Sequence, residues 1–165
     1  MKMSKMPESA QRHRADSHKN LVGFVVGDVH YAIDIGRVRE IVNPLPITPL
    51  PYTPPEVAGV SDHRGEVVPV IDLRVRFMLD RKPEERGTKW ILVSLGARVV
   101  GLVVDAVTEV FGAPNDEIRP TPEVGGNRDL RGINGVAKHD GKLVFVLDTM
   151  RFLEIVDALS ASGAI

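Results

Sequence analysis

Two short clusters hold the side chains of this chain that could do chemistry. One is Asp62-His63-Arg64 and the other is His139-Asp140. An aspartate beside an imidazole offers a general base, or two metal ligands, with His30 available as a third donor. Extended backbone works against convergence, because neighbouring side chains on a strand leave opposite faces. Cysteine is absent, which removes thiol nucleophiles, disulfides and thiolate metal sites. No Gly-rich phosphate loop, nucleophile elbow or HExxH stretch occurs. An enzyme or metal protein using Asp62, His63 and His139 is therefore the weaker reading. The chain reads as non-catalytic, with no cofactor and no metal.

Binding chemistry has more support. Arg64 can make bidentate, charge-assisted bonds to a carboxylate or to backbone carbonyls. Glu40 follows Val38 in a short apolar stretch, Ile35-Gly-Arg-Val-Arg-Glu-Ile41. An apolar groove rimmed by an arginine and a glutamate suits an amphipathic partner helix. Two plainer readings stand beside this one: Glu40 as a solvated charge, and Arg64 as a turn residue bonding its own loop.

Short strands must position these residues. Leu21–Val26 and His30–Ile35 predict a hairpin about Gly27-Asp28. Ile35, Val38 and Ile41 recur every three residues, which predicts a short helix from Asp34 to Ile41 with Asp34 as its cap. Six prolines between Pro44 and Pro55 exclude helix and predict an extended segment packed on a core. Val57–Asp62 and Glu66–Asp72 predict a hairpin bending at His63-Arg64-Gly65, with Pro69 placing that stretch at an edge or bulge. Alternation would set Arg74 and Arg76 on one face. The charged stretch 79–89 reads as a linker. Trp90–Leu95 pairs with Arg98–Val104, and Gly132–Lys138 pairs with Lys142–Leu147 across Asp140-Gly141, the strongest turn signal in the chain. Segment 117–131 reads as loop. Phe152, Leu153, Val156 and Leu159 form one helical stripe that Thr149 can cap.

The chain also repeats itself. Gly59-Val-x-x-His-x-Gly, a charge, five apolar residues and Asp72 recur 76 residues on, from Gly135 to Asp148. Tyr31–Val42 recurs 69 residues on, as Val100–Phe111. Two blocks in the same order point to a duplication. At 165 residues, 43% hydrophobic and net charge −1, the chain can bury a core and shows no basic excess for nucleic acid. It has no apolar run of membrane-spanning length. Residues 1–20 read as a disordered polar tail without a secretory core, and 161–165 as a second tail. The expected location is the cytoplasm. Short strands with frequent turns predict small closed or half-closed barrels.

Several motifs resemble the CheW coupling proteins of bacterial chemosensory arrays. They are Tyr31-Ala-Ile-Asp-Ile-x-x-Val-x-Glu-Ile, Gly59-Val-x-x-x-Arg64-Gly, Val68-Pro-Val-Ile-Asp-Leu-Arg-Val-Arg-Phe77, Gly96-Ala-Arg-Val-Val-Gly-Leu-Val-Val-Asp-x-Val, Glu117-Ile-Arg-Pro-x-Pro-Glu123 and Gly135-Val-Ala-Lys. The resemblance covers about residues 20–155. It implies a domain over 21–160 made of two five-stranded, SH3-like β-barrels sharing an apolar core, with short helices including one at the C-terminus. The first barrel is expected over about 21–79, with the C-terminal helix packed on it, and the second over about 88–148. The resemblance also implies a non-catalytic adaptor between the cytoplasmic tip of a chemoreceptor and the regulatory domain of a CheA-type histidine kinase, possessing neither nucleic-acid binding nor membrane insertion. Carried over residue by residue, Val38, Glu40 and Arg64 would face the receptor. Gly101, Val107 and Val110 fall in the region used near partners. The family usually reads Asn-Leu-Arg-Gly at the first bend, whereas this chain reads Asp62-His63-Arg64-Gly65. That departure points to an alternative: a divergent adaptor, of the kind serving gliding motility, that binds receptor but not kinase. In it, Asp62 could pair with Arg64 and weaken its outward contact.

Overall fold

A computed structural model describes residues 18–121, 132–161 and 163. Ten strands carry it: β1 (His18–Val26), β2 (Val29–Asp34), β3 (Val38–Val42), β4 (Val57–His63), β5 (Glu66–Asp72), β6 (Lys89–Leu95), β7 (Arg98–Val104), β8 (Ala106–Pro114), β9 (Ile133–His139) and β10 (Lys142–Leu147). Two α-helices join them, α1 (Leu73–Arg76) and α2 (Leu153–Ala161). The strands form two five-stranded sheets, in the orders β8-β1-β2-β10-β9 and β3-β6-β7-β5-β4.

These orders correct the expected division at the linker. The β1–β2 hairpin leaves its own half and joins β8, β9 and β10, while β6–β7 joins β3, β4 and β5. Each exchange is made by one parallel pairing, β2 with β10 and β5 with β7, and all other pairings are antiparallel. The duplication is real in three dimensions, since the two orders are the same once the halves are interchanged. It repeats in detail. Thr48 bridges Val60 in one barrel and Arg119 bridges Val136 in the other. Asp72 N donates to Glu56 O at 2.7 Å, and Asp148 N donates to Gly132 O at 2.8 Å. Gly59 and Gly135 admit the crossing chain: a Cβ would lie 2.3 Å from Thr48 O and 2.9 Å from Arg119 O respectively.

Three apolar clusters follow from this architecture. Leu21, Ala32, Phe111, Ala137, Val144 and Val146 fill the first barrel. Val68, Val70, Trp90, Leu92 and Val99 fill the second. The largest lies between them, where Phe24, Tyr31 and Ile33 meet Ile71, Ile91, Leu102, Phe152 and Val156. Alternation explains the split, because one side of β1, β2, β6 and β7 lines its own barrel and the other lines the shared core.

Local expectations met mixed outcomes. Asp34 caps as expected, accepting from Gly36 N at 2.9 Å, but only Ile35–Arg37 turns. The helix expected to run to Ile41 is instead edge strand β3, in register with β6 from Val38↔Val93 to Val42↔Trp90. β-branched Val38, Ile41 and Val42 favour that pairing. Residues 18–20, assigned to a disordered tail, are the start of β1; residues 1–17 lie outside the described residues, as do 122–131 of the expected loop. Ala161, placed in the C-terminal tail, ends α2. Asp148, not Thr149, caps the last helical segment through Met150 N at 3.0 Å, and Thr149 is buried. The stripe holds, with Phe152, Val156 and Leu159 buried. β5 is an inner strand, but Pro69 just precedes the part paired with β7, which begins at Val70. Arg74 and Arg76 sit on α1 and reach different acids, Asp105 at 2.7 Å and Glu56 at 3.4 Å.

Candidate functional site

Arg64 and Gly65 form the two-residue turn between β4 and β5, with φ of 53° and 80°. Positive φ at both positions is the mirror-image turn that suits strand twist. Asp62 fastens it, its Oδ1 accepting from Gly65 N at 2.9 Å. Asp62 is thus committed to the turn backbone, which corrects the expectation that it pairs with Arg64. The Arg64 side chain is 76% exposed, and its Nη2 donates to Glu40 Oε1 at 3.0 Å.

Glu40 lies on β3, at the opposite edge of that sheet from β4. Its second oxygen, Oε2, meets His63 Nε2 at 3.0 Å. A carboxylate can only accept, so His63 donates from Nε2. Arg39 on β3 repeats the crossing, pairing with Glu66 of β5 at 3.1 Å. The hydrogen bond from His63 holds the Glu40 carboxyl below the usual carboxylate range; desolvation opposes this, and the charges of Arg64, His63 and Arg39 reinforce it. Polar side chains therefore link the two edge strands of the second barrel at its tip.

The first barrel carries the counterpart. His139 Nε2 lies 2.8 Å from Glu109 Oε1, again between the sheet's two edge strands, β9 and β8. His139 is 76 residues from His63 and Glu109 is 69 from Glu40, matching the two repeat offsets. Glu109 was not singled out from the sequence, although superposing the second repeat block on the first marks it. Asp140-Gly141 forms the matching turn, with φ of 50° and 74°.

The expected partner-facing residues divide by exposure. Glu40 and Arg64 meet at one tip and face outward. Val38 is half-buried against the shared core. Gly101 corrects the expectation: it is buried inside β7, where an added Cβ would lie 3.3 Å from Leu92 Cδ2. Val107 pairs with Phe24 and packs on the shared core, while Val110 on edge strand β8 is 57% exposed. The set Asp62, His63 and His139 does not converge, because His63 and His139 belong to different barrels. No helix among the described residues is long and apolar enough to cross a membrane.

Two five-stranded barrels with exchanged hairpins and matching polar tips define the class, a duplicated double-barrel β protein. The chain belongs to the CheW-like domain family, which matches residues 20–157. It is 32% identical over 142 residues to the chemotaxis protein CheW of Rhizobium meliloti (strain 1021), covering 85% of this chain and 90% of that one. It is 34% identical over 138 residues to protein FrzA of Myxococcus xanthus, covering 82% and 84%. The crystal structure of the scaffolding protein TtCheW from Thermoanaerobacter tengcongensis superposes with a TM-score of 0.72 at 34% identity, over 79% of this chain and 88% of that one.

Proposed function

We propose that this protein is a non-catalytic cytoplasmic adaptor. It couples the cytoplasmic tip of a chemoreceptor to the regulatory domain of a CheA-type histidine kinase. The observation that carries this reading is the Arg64 guanidinium, held at a barrel tip by Glu40 yet three-quarters exposed, in a chain whose family match spans both barrels. An exposed planar fork can bond carboxylates or carbonyls of a helical partner without first being desolvated. Glu40 and Val38 complete the receptor-facing set, with Val110 and the neighbouring Val107 on the other barrel as the second partner surface.

A second reading rests on His63, which engages Glu40, and on the similarity to FrzA. In it the chain binds receptor but not kinase. Parallel titrations of the full chain against a receptor-tip peptide and a kinase regulatory domain decide the matter. Micromolar binding to both supports the adaptor. Binding to the receptor alone supports the second reading, and binding to neither removes both.

A further inference from the structure

We infer that Glu109, His139 and Asp140 form a binding site for a transition-metal dication such as Zn²⁺ at the tip of the first barrel. The comparison that leads there is internal. In the second barrel the cation beside the Glu–His pair is part of the chain, the Arg64 guanidinium 3.0 Å from Glu40. The equivalent of Arg64 in the other repeat is Asp140, 76 residues on. One position has exchanged a cation for an anion, so the Glu109–His139 pair faces a second carboxylate where its counterpart faces a guanidinium.

The geometry fits a small ion. His139 Nε2 lies 2.8 Å from Glu109 Oε1 and 3.5 Å from Asp140 Oδ2. One donor atom from each of the three residues falls within 4.8 Å of the other two. Ligands about 2.0–2.2 Å from a tetrahedral zinc stand roughly 3.4 Å apart, so small side-chain adjustments close the set. One imidazole nitrogen and two carboxylate oxygens leave a fourth position for water. A mixed N/O set selects zinc and its first-row neighbours over calcium and magnesium, which take oxygen.

Two features hold the donors in place. The His139 ring stacks on Phe111 with centroids 4.0 Å apart and planes 11° from parallel, which fixes the direction of Nε2. Asp140 occupies a tight turn whose φ of 50° fixes where its side chain starts. The site opens on a cavity of about 120 Å³ that His30 and Lys142 also line. His30 lies outside the 4.8 Å cluster, so three residues supply the donors. The Lys142 ammonium is the chain's own competitor for the two carboxylates.

The test uses the full chain freed of metal. Zn²⁺ is titrated calorimetrically at neutral pH, and the imidazole resonances are followed by NMR. The expected result is one saturable micromolar site that shifts the His139 ring signals. His139→Gln and Asp140→Asn should each weaken it at least tenfold, His63→Gln should leave it unchanged, and Lys142→Ala should tighten it. Asp140→Asn places Asn-Gly in the turn, the pair this turn type prefers, so its loss of binding reports on the ligand and not on folding. Absence of saturable binding, or binding that survives both His139→Gln and Asp140→Asn, overturns the proposal. The outcome does not depend on the adaptor reading, because neither receptor nor kinase enters the experiment.

Discussion

Glu40 and Arg64 meet at 3.0 Å from opposite edges of one sheet, with only the glutamate drawn in toward the protein. Its side chain is 30% exposed against 76% for the arginine. The pair orients Arg64 and contributes little to stability, as exposed ion pairs do. Arg64→Ala should weaken binding of a receptor-tip peptide roughly tenfold or more, the scale of a lost charge-assisted contact. The melting temperature should stay within about 2 °C of wild type, since surface changes of this kind cost under ~0.5 kcal/mol. Calorimetric titration and a thermal melt check the two halves of this expectation, and unchanged affinity would remove Arg64 from the receptor surface.

The same carboxylate gives the tip a pH dependence of known sign. The folded state depresses the Glu40 pKa, chiefly through the His63 hydrogen bond. A depressed carboxyl adds stability above its unfolded value, and that stability fades as pH falls through the folded value. Wild type should therefore be more stable than Glu40→Gln at neutral pH, and the gap should shrink on acidification below the ordinary carboxylate range. Melts of both proteins from pH 7 to pH 3 measure this, and a gap that grows in acid would reverse the assigned sign.

Two glycines five to six positions apart in the same hairpin should respond differently to alanine. Gly59 has φ +145°, and an added Cβ would stand 2.3 Å from Thr48 O, a backbone atom with little room to retreat. Gly65 has φ +80° and nothing within 4 Å. Gly59→Ala should cost about 3 kcal/mol, combining strain and a clash that pushes the 44–55 segment off the barrel. Gly65→Ala should cost about 1 kcal/mol, the strain alone. Denaturant unfolding of the two variants separates them, and equal losses would mean that the crossing chain yields freely.

Asp105 supports the junction between the barrels. Its Oδ2 accepts from Gly27 N in the β1–β2 turn and from Arg74 Nη1 on α1, both at 2.7 Å. The two side chains of that ion pair are only about one-fifth exposed. Asp105→Ala leaves a partly buried guanidinium and a turn amide without this acceptor, at about 2 kcal/mol. For a chain of this size that lowers the melting temperature by roughly 6 °C, and scanning calorimetry would show it.

Phe152 is fully buried among residues of both sheets. Phe152→Ala should cost about 3–5 kcal/mol, because the shared core cannot collapse around so large a void. Chemical denaturation should show the loss while receptor-peptide binding survives in the folded fraction.

The hairpins were legible because they are local. Gly27, Gly96 and Asp140-Gly141 each announce a turn between apolar alternations, and the strands follow within a residue or two. The C-terminal stripe was legible for the same reason. The Asp34–Ile41 helix was misread because Ile35, Val38 and Ile41 satisfy a helical spacing, whereas pairing of β3 with β6, fifty residues away, decides the outcome. The exchange of hairpins was hidden by the duplication itself. Two halves with the same pattern make β1–β2 and β6–β7 nearly interchangeable, and only the parallel contacts of β2 with β10 and β5 with β7 choose between them. At the tips, Arg64 and Glu40 could be nominated singly. That His63 and His139 each seize a glutamate needed both repeat offsets applied together, since the two members of each pair lie in different blocks.

The exchanged hairpins mean that neither half owns a complete sheet. A protease cut among the exposed residues 81–86 would yield two fragments clasped through every core, and neither could leave without stripping two strands from each barrel. Any partner that grips one tip therefore pulls on both halves of the polypeptide at once, so the molecule transmits force as a single interlocked body and not as two beads on a string.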